Sequence, residues 1–120
     1  MPPLKILLGE VSTGWRRVLR ELAQDDDRLQ LVGEAAGPVE ILLQTKRISA
    51  DVVVLSQTVG GGEPGICSHL LLEYPNLVVV LVPIDSGPHI LYRLVLSREI
   101  AEASKDALHA MLQKQFTSEV

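Results

Sequence analysis

Aromatic side chains are scarce in this 120-residue chain, with one Trp, two Tyr and one Phe, so its core must be built from Leu, Val, Ile and Ala. Cysteine is scarcer still: Cys67 stands alone, which excludes an intrachain disulfide and any multi-cysteine metal site. No apolar run reaches a membrane-spanning length, and Met1-Pro2-Pro3-Leu4-Lys5 has none of the regions of a signal peptide. The expectation is a cytoplasmic protein that does not engage a membrane. Lys and Arg form no cluster able to follow a phosphate backbone, and the formal charge is −4, which argues against direct nucleic-acid binding. Disorder is excluded too, because 47% of the residues are hydrophobic and 22% charged, a balance that suits a packed globule. The length fits one domain over residues 1–120.

What is present is a repeated alternation of short aliphatic runs and amphipathic segments. Residues 5–8 read as a strand ending at Gly9. Ser12 and Thr13 are helix-capping types, followed at helical spacing by Trp15, Val18, Leu19 and Leu22. Asp25, Asp26 and Asp27 close that helix and read as a solvated turn, since three carboxylates oppose the dipole at a helix C-terminus. Leu29, Leu31 and Val32 predict a second strand, stopped by Gly33. Gly37-Pro38 opens a second helix, with Val39, Ile41, Leu42, Leu43 and Ile48 as its buried side. Residues 52–55 are too apolar for a half-exposed strand and so predict the central one. A glycine-rich loop over residues 59–65 leads to a helix at Ile66–Glu73, and residues 77–82 predict a fourth buried strand.

This succession, with short connections, predicts an α/β fold with a doubly wound parallel sheet. The pattern breaks after Pro83. Residues 84–89 are turn-rich, residues 90–96 are apolar again, and a helix is expected over residues 98–115. A parallel fifth strand at 90–96 leaves too short a connection for a full crossover helix. Three readings stand open: a vestigial helix before the strand, a helical segment, or an antiparallel strand.

Over residues 6–56 the chain resembles a response-regulator receiver domain. The resemblance is carried by Leu31-Val32-Gly33-Glu34-Ala35-Ala36-Gly37, a helix, and then Asp51-Val52-Val53-Val54-Leu55. It continues more loosely through Tyr74-Pro75-Asn76-Leu77. It implies a flavodoxin-like sheet of about five strands in the order 2-1-3-4-5, here with the region of the fourth helix shortened or remodelled. It also implies bacterial two-component signalling and phosphorelay. In that family two acidic residues after the first strand bind Mg²⁺, and an aspartate ending the third strand accepts a phosphoryl group. A Ser or Thr ending the fourth strand and a Lys ending the fifth contact the phosphoryl oxygens.

An ungapped match places Glu10 and Val11 at the acidic pair, Ser56 at the phosphoacceptor and Val82 at the hydroxyl position. No lysine ends the 90–96 segment. A serine hydroxyl is un-ionised at neutral pH and needs an adjacent base. The usual chemistry is therefore expected to be lost, leaving a degenerate pocket of Glu10, Val11, Ser56 and Val82 with no metal or other cofactor. Two carboxylates about 5 Å apart repel by about 3 kcal/mol at an effective dielectric near 20. Replacing most of the cluster removes that repulsion along with the need for Mg²⁺.

Other residues fit plainer roles. Gly60, Gly61 and Gly62 follow a strand and precede a helix, as phosphate loops do, but lack the Gly-Lys-Ser/Thr ending and the Gly-x-Gly-x-x-Gly spacing. Ser56 with His69 or His89 is no hydrolase pair, because Val54 and Thr58 stand where a nucleophile elbow needs glycines. His69, His89 and His109 read as surface or half-buried residues, Trp15 as packing, and Arg16, Arg17 and Arg20 as a solvated helix face. Cys67 lies near a helix start, where the dipole could lower its pKa, although a buried packing role is commoner.

The expected function is non-enzymatic: a pseudo-receiver that binds a signalling protein without being phosphorylated. Ile90, Tyr92, Leu94 and Leu96 are the expected interface for that partner or for a homodimer. The alternatives are a small-ligand or nucleotide sensor using residues 60–65, and a phosphorylatable receiver of unusual chemistry. No output domain is read in these residues.

Overall fold

The computed structural model describes residues 2–58, 64–84, 90–94 and 98–113. Strand β1 (Leu4–Leu8) is followed by helix α1 (Thr13–Asp25), strand β2 (Leu29–Glu34), helix α2 (Gly37–Ile48) and strand β3 (Val52–Ser56). Helix α3 (Ile66–Glu73), strands β4 (Val78–Val82), β5 (Ile90–Leu94) and β6 (Arg98–Glu102), and helix α4 (Lys105–Gln113) complete the order. One sheet carries all six strands in the order β2-β1-β3-β4-β5-β6. The first four run parallel, in the expected order.

Strand periodicity sorts the parallel strands into two cores. Ile6, Leu8, Val52, Val54, Val78 and Val80 face one side of the sheet, where α1 contributes Leu19 and Leu22 and α4 contributes Leu108, Met111 and Leu112. Leu7, Val53, Leu55, Val79 and Leu81 face the other, under Ile41 of α2 and Cys67 and Leu70 of α3. Both faces are covered, which is why these strands are apolar throughout instead of alternating. Each fully buried Val or Leu here contributes about 1.5–3 kcal/mol.

Beyond β4 the structure selects one of the three open readings and corrects two expectations. The segment after β4 forms a strand that pairs with β4 antiparallel, Leu81 opposite Tyr92 and Val79 opposite Leu94. Only seven residues, 83–89, separate the two strands. An antiparallel partner can be reached by a turn, whereas a parallel one needs a dozen residues or more. Among the described residues the sheet accordingly has six strands, where about five were expected. The expected helix over 98–115 is divided: its first residues form β6, antiparallel to β5 from Ile90↔Glu102 to Leu94↔Arg98, and α4 starts only at Lys105.

The buried side of α2 is also narrower than expected. Ile41 and Thr45 are buried and Ile48 packs against the same core, but Val39 is 70% and Leu43 63% exposed. At about 100° per residue, positions two removed from Ile41 lie on the far side of the helix. Thr45 resolves its burial locally, its Oγ1 donating to Ile41 O at 2.6 Å. Finally, β2 does not stop at Gly33. It continues to Glu34, with a break in its register against β1 between Ile6 and Leu7.

The turn out of α1 also departs from expectation. Asp26 is not solvated: it is 8% exposed and organises the approach to β2. Its Oδ1 accepts from Arg28 N at 2.9 Å and Arg28 Nε at 3.0 Å, and its Oδ2 from Arg28 Nη2 at 3.0 Å. His109 Nε2 of α4 also lies 2.9 Å from Oδ2. An ionised carboxylate only accepts, so that ring nitrogen carries the proton. Hydrogen bonds from the Arg28 side chain, then from His109, hold the Asp26 carboxyl well below the usual carboxylate range.

Candidate functional site

In open α/β sheets ligands meet the carboxyl ends of the strands where the strand order reverses. Here that place lies between β1 and β3. Gly9 N donates to Val54 O at 2.8 Å, drawing the β1–α1 loop down onto β3. A Cβ on Gly9 would run into Leu55 Cδ2 and press on Ile41 Cδ1 and Val54 O, so any side chain here would have to displace the buried Leu55. The β2–α2 loop is tied in by Ala35 N to Leu8 O at 2.8 Å, and the chain after β3 by Gln57 N to Val82 O at 2.9 Å.

A cleft of about 280 Å³ opens above these loops, lined by Glu10, Gly37, Pro38, Leu55, Ser56 and Ile66 among others. Two of the four expected pocket residues, Glu10 and Ser56, thus share a cavity. The other two do not face it. Val11 and Val82 belong to the core on the opposite side of the sheet, 8% and 0% exposed. Val82 is in register with Ser56, with the chain between them closed by the Gln57–Val82 bond.

The chemistry of Glu10 is decided by α2. The residue preceding that helix, Ala36, has no side chain able to cap it. Glu10 Oε1 accepts from Gly37 N at 3.0 Å, and Glu40 Oε1 accepts from Ala36 N at 3.0 Å. Glu10, from the β1–α1 loop, and Glu40, from the first turn of α2 itself, thus satisfy donors that a helix N-terminus leaves open, where negative charge is also favourable. Gly37 enters the helix at φ +77°, the left-handed region that glycine tolerates. Nothing in the sequence pattern near Glu10 announced this role, because the partner lies 27 residues away.

Beside it, Arg16 Nε stands 3.1 Å from Glu34 Oε1 and Arg20 Nη2 3.5 Å from Glu34 Oε2. Two of the three arginines expected on a solvated face are therefore engaged with the end of β2, and Arg17 remains exposed. Ser12 does cap α1, accepting from Trp15 N at 3.4 Å, and Trp15 is half-buried against the core.

Cys67 is fully buried, and burial pushes its thiol up to about 11, opposite to the lowering that a helix start could produce. His69 is exposed on α3. Gly60, Gly61 and Gly62 lie outside the described residues, as do His89 and Leu96. Ile90, Tyr92 and Leu94 lie on β5, whose two edges are taken by β4 and β6. Among the described residues no group of three His, Cys, Asp or Glu is placed to hold a metal ion, and no helix is long and apolar enough to cross a membrane.

A larger cleft of about 470 Å³ lies at the opposite, amino edge of the sheet, lined by Lys46, Ser49, Asp51, Glu73 and Tyr74 among others. Its Asp51 already accepts from Lys5 N at 2.9 Å, a bond that ties the start of β3 to β1. The site at the carboxyl edge is smaller but sits where the strand order reverses, and so is the better candidate. Compared with models of known protein families the chain matches none, and compared with curated proteins it matches none.

Proposed function

We propose that this chain is a receiver-like, flavodoxin-like domain that has given up aspartyl phosphorylation and acts, without catalysis of its own, by binding a signalling protein. The observation that carries the reading is the state of Glu10. The one carboxylate left at the matched acidic positions is committed to the α2 N-terminus through Gly37 N, while Val11 and Val82 are core residues. Ser56 offers only a hydroxyl, with no base bonded to it among the described contacts, and Val11 supplies no second carboxylate beside Glu10, which supports a pocket without the usual nucleophile or paired hard oxygen ligands. Incubation with acetyl phosphate and Mg²⁺, followed by intact mass, is expected to leave the chain unmodified. Beryllofluoride with Mg²⁺ is expected to leave the amide resonances of residues 55–58 in place. A covalent phosphate, or a saturable shift at Ser56, would overturn the reading in favour of a receiver of unusual chemistry. Capture of a signalling protein by the unphosphorylated chain is the positive counterpart.

A second reading draws on the cleft itself. Its position at the strand-order reversal and its Pro38, Ile41, Leu55 and Ile66 walls suit a small ligand. A thermal-shift screen with nucleotides separates the two readings, since the first expects no change in melting temperature.

A further inference from the structure

We propose that two copies of this chain join edge to edge through β6, each copy pairing the open side of that strand with the same strand of the other, antiparallel and centred on Ile100. The inference does not depend on the state of the phosphorylation pocket. Because β5 lies between β4 and β6, the edges of the sheet among the described residues are β2 on one side and β6 on the other. Among the described residues nothing pairs with the outer side of either. The two edges differ in regularity. Against β1, the register of β2 passes from Ile6↔Leu31 to Leu7↔Gly33, leaving Val32 as an extra residue. Such bulges bend a strand and spoil it as a template. In contrast, β6 keeps an unbroken register with β5 over its whole length. A regular edge is a ready-made site for another strand.

The sequence of that edge names the occupant. β6 reads Arg98-Glu99-Ile100-Ala101-Glu102. A two-fold axis through Ile100 sets Arg98 opposite Glu102 of the second copy, Glu102 opposite its Arg98, and Glu99 opposite Ala101. Every residue of the strand is paired, and no like charges face each other. Displacing the pairing by one residue sets Glu99 opposite Glu102, or leaves Glu102 unpaired. A strand guarded against association would repel its own copy, whereas this order of signs is self-complementary. Opposite-charge pairs across antiparallel strands stabilise, like-charge pairs destabilise, and a two-fold axis makes each pair occur twice.

The experiment uses the full chain in sedimentation equilibrium. The wild type is expected to be dimeric at micromolar concentration. Arg98→Glu and Glu102→Arg, each placing like charges opposite at both ends, are expected to raise the dissociation constant roughly tenfold or more. An equimolar mixture of the two variants restores opposite pairs and is expected to form a dimer with one of each, seen by native mass spectrometry. Ile100→Cys places two thiols across the axis, where opposed Cα atoms about 4.5–5.5 Å apart suit a disulfide. It is expected to cross-link copies under mild oxidation while buried Cys67 stays reduced. A monomeric wild type, folded variants that dimerise as the wild type does, a mixture that stays monomeric, or an Ile100→Cys chain that does not cross-link would overturn the proposal.

Discussion

The parallel part of the sheet and its antiparallel extension obey different rules. In β1, β3 and β4 both faces are covered, and the sequences LKILL, VVVLS and VVVLV are almost wholly apolar. In β5 and β6 the sequences ILYRL and REIAE mix apolar and charged residues. Yet the extension is not an appendage. Leu91 of β5 and Leu108, Met111 and Leu112 of α4 belong to the same core as Ile6, Val54 and Val80. The comparison teaches that composition reports how a strand is covered, while cooperativity depends on which core it shares.

The comparison can be broken at several strengths. The largest effect is expected from Val80→Asp, which buries an unpaired carboxylate where Val80 is wholly inaccessible. It should abolish the cooperative unfolding transition seen by circular dichroism. Leu108→Ala is expected to cost about 2–5 kcal/mol and to shift one denaturation curve as a whole. Two separate transitions would mean that the extension is a unit apart from the parallel sheet.

Asp26→Ala should cost about 1–2 kcal/mol at neutral pH, the low end for bonds to a charged group because Arg28 is half-exposed. Its pH dependence has a definite sign. The folded carboxyl titrates below its ordinary value of 3.8, so its stabilisation is present above that pH and is lost as the pH falls further. Acid denaturation of the variant should therefore show a flatter limb below about pH 4 than the wild type. An unchanged limb would remove Asp26 from the account.

Smaller effects are expected at the carboxyl edge. Glu10→Ala should cost about 0.5–1 kcal/mol by uncapping α2, and Glu10→Gln, which keeps an acceptor, less. Equal losses in the two variants would show that the cap does not matter. The smallest change is expected for Leu43→Ser on the exposed face of α2, within about 0.5 kcal/mol in urea denaturation. A loss like that of Leu108→Ala would mean that this face is covered in solution.

Legibility in the sequence followed the same division. The helix Ile66–Glu73, the helix opened by Gly37-Pro38 and the strands around Val53 and Val80 were readable because one covering rule applied along their length. The antiparallel turn of β5 stays one of three options in the sequence, since seven residues between strands limit the connection without fixing its direction. β6 looks helical in the sequence because Ile100, Ala103 and Ala107 satisfy helical spacing as well as any strand pattern, and no glycine or proline marks the boundary near Lys105. At the site, the positions of Glu10 and Ser56 beside one cleft were foreseeable from the order of elements. The capping bond of Glu10 and the Asp26–His109 contact were not, because each joins residues distant in sequence through side-chain geometry alone.

The two sides of the sheet also close at different moments in the life of the chain. The layer of α2 and α3 can settle once residue 82 is in place, but the other layer waits for residues 105–113. During synthesis Leu19, Leu22 and the strand residues beneath them therefore stay uncovered longest, and any chaperone that meets the emerging polypeptide should find its binding surface there.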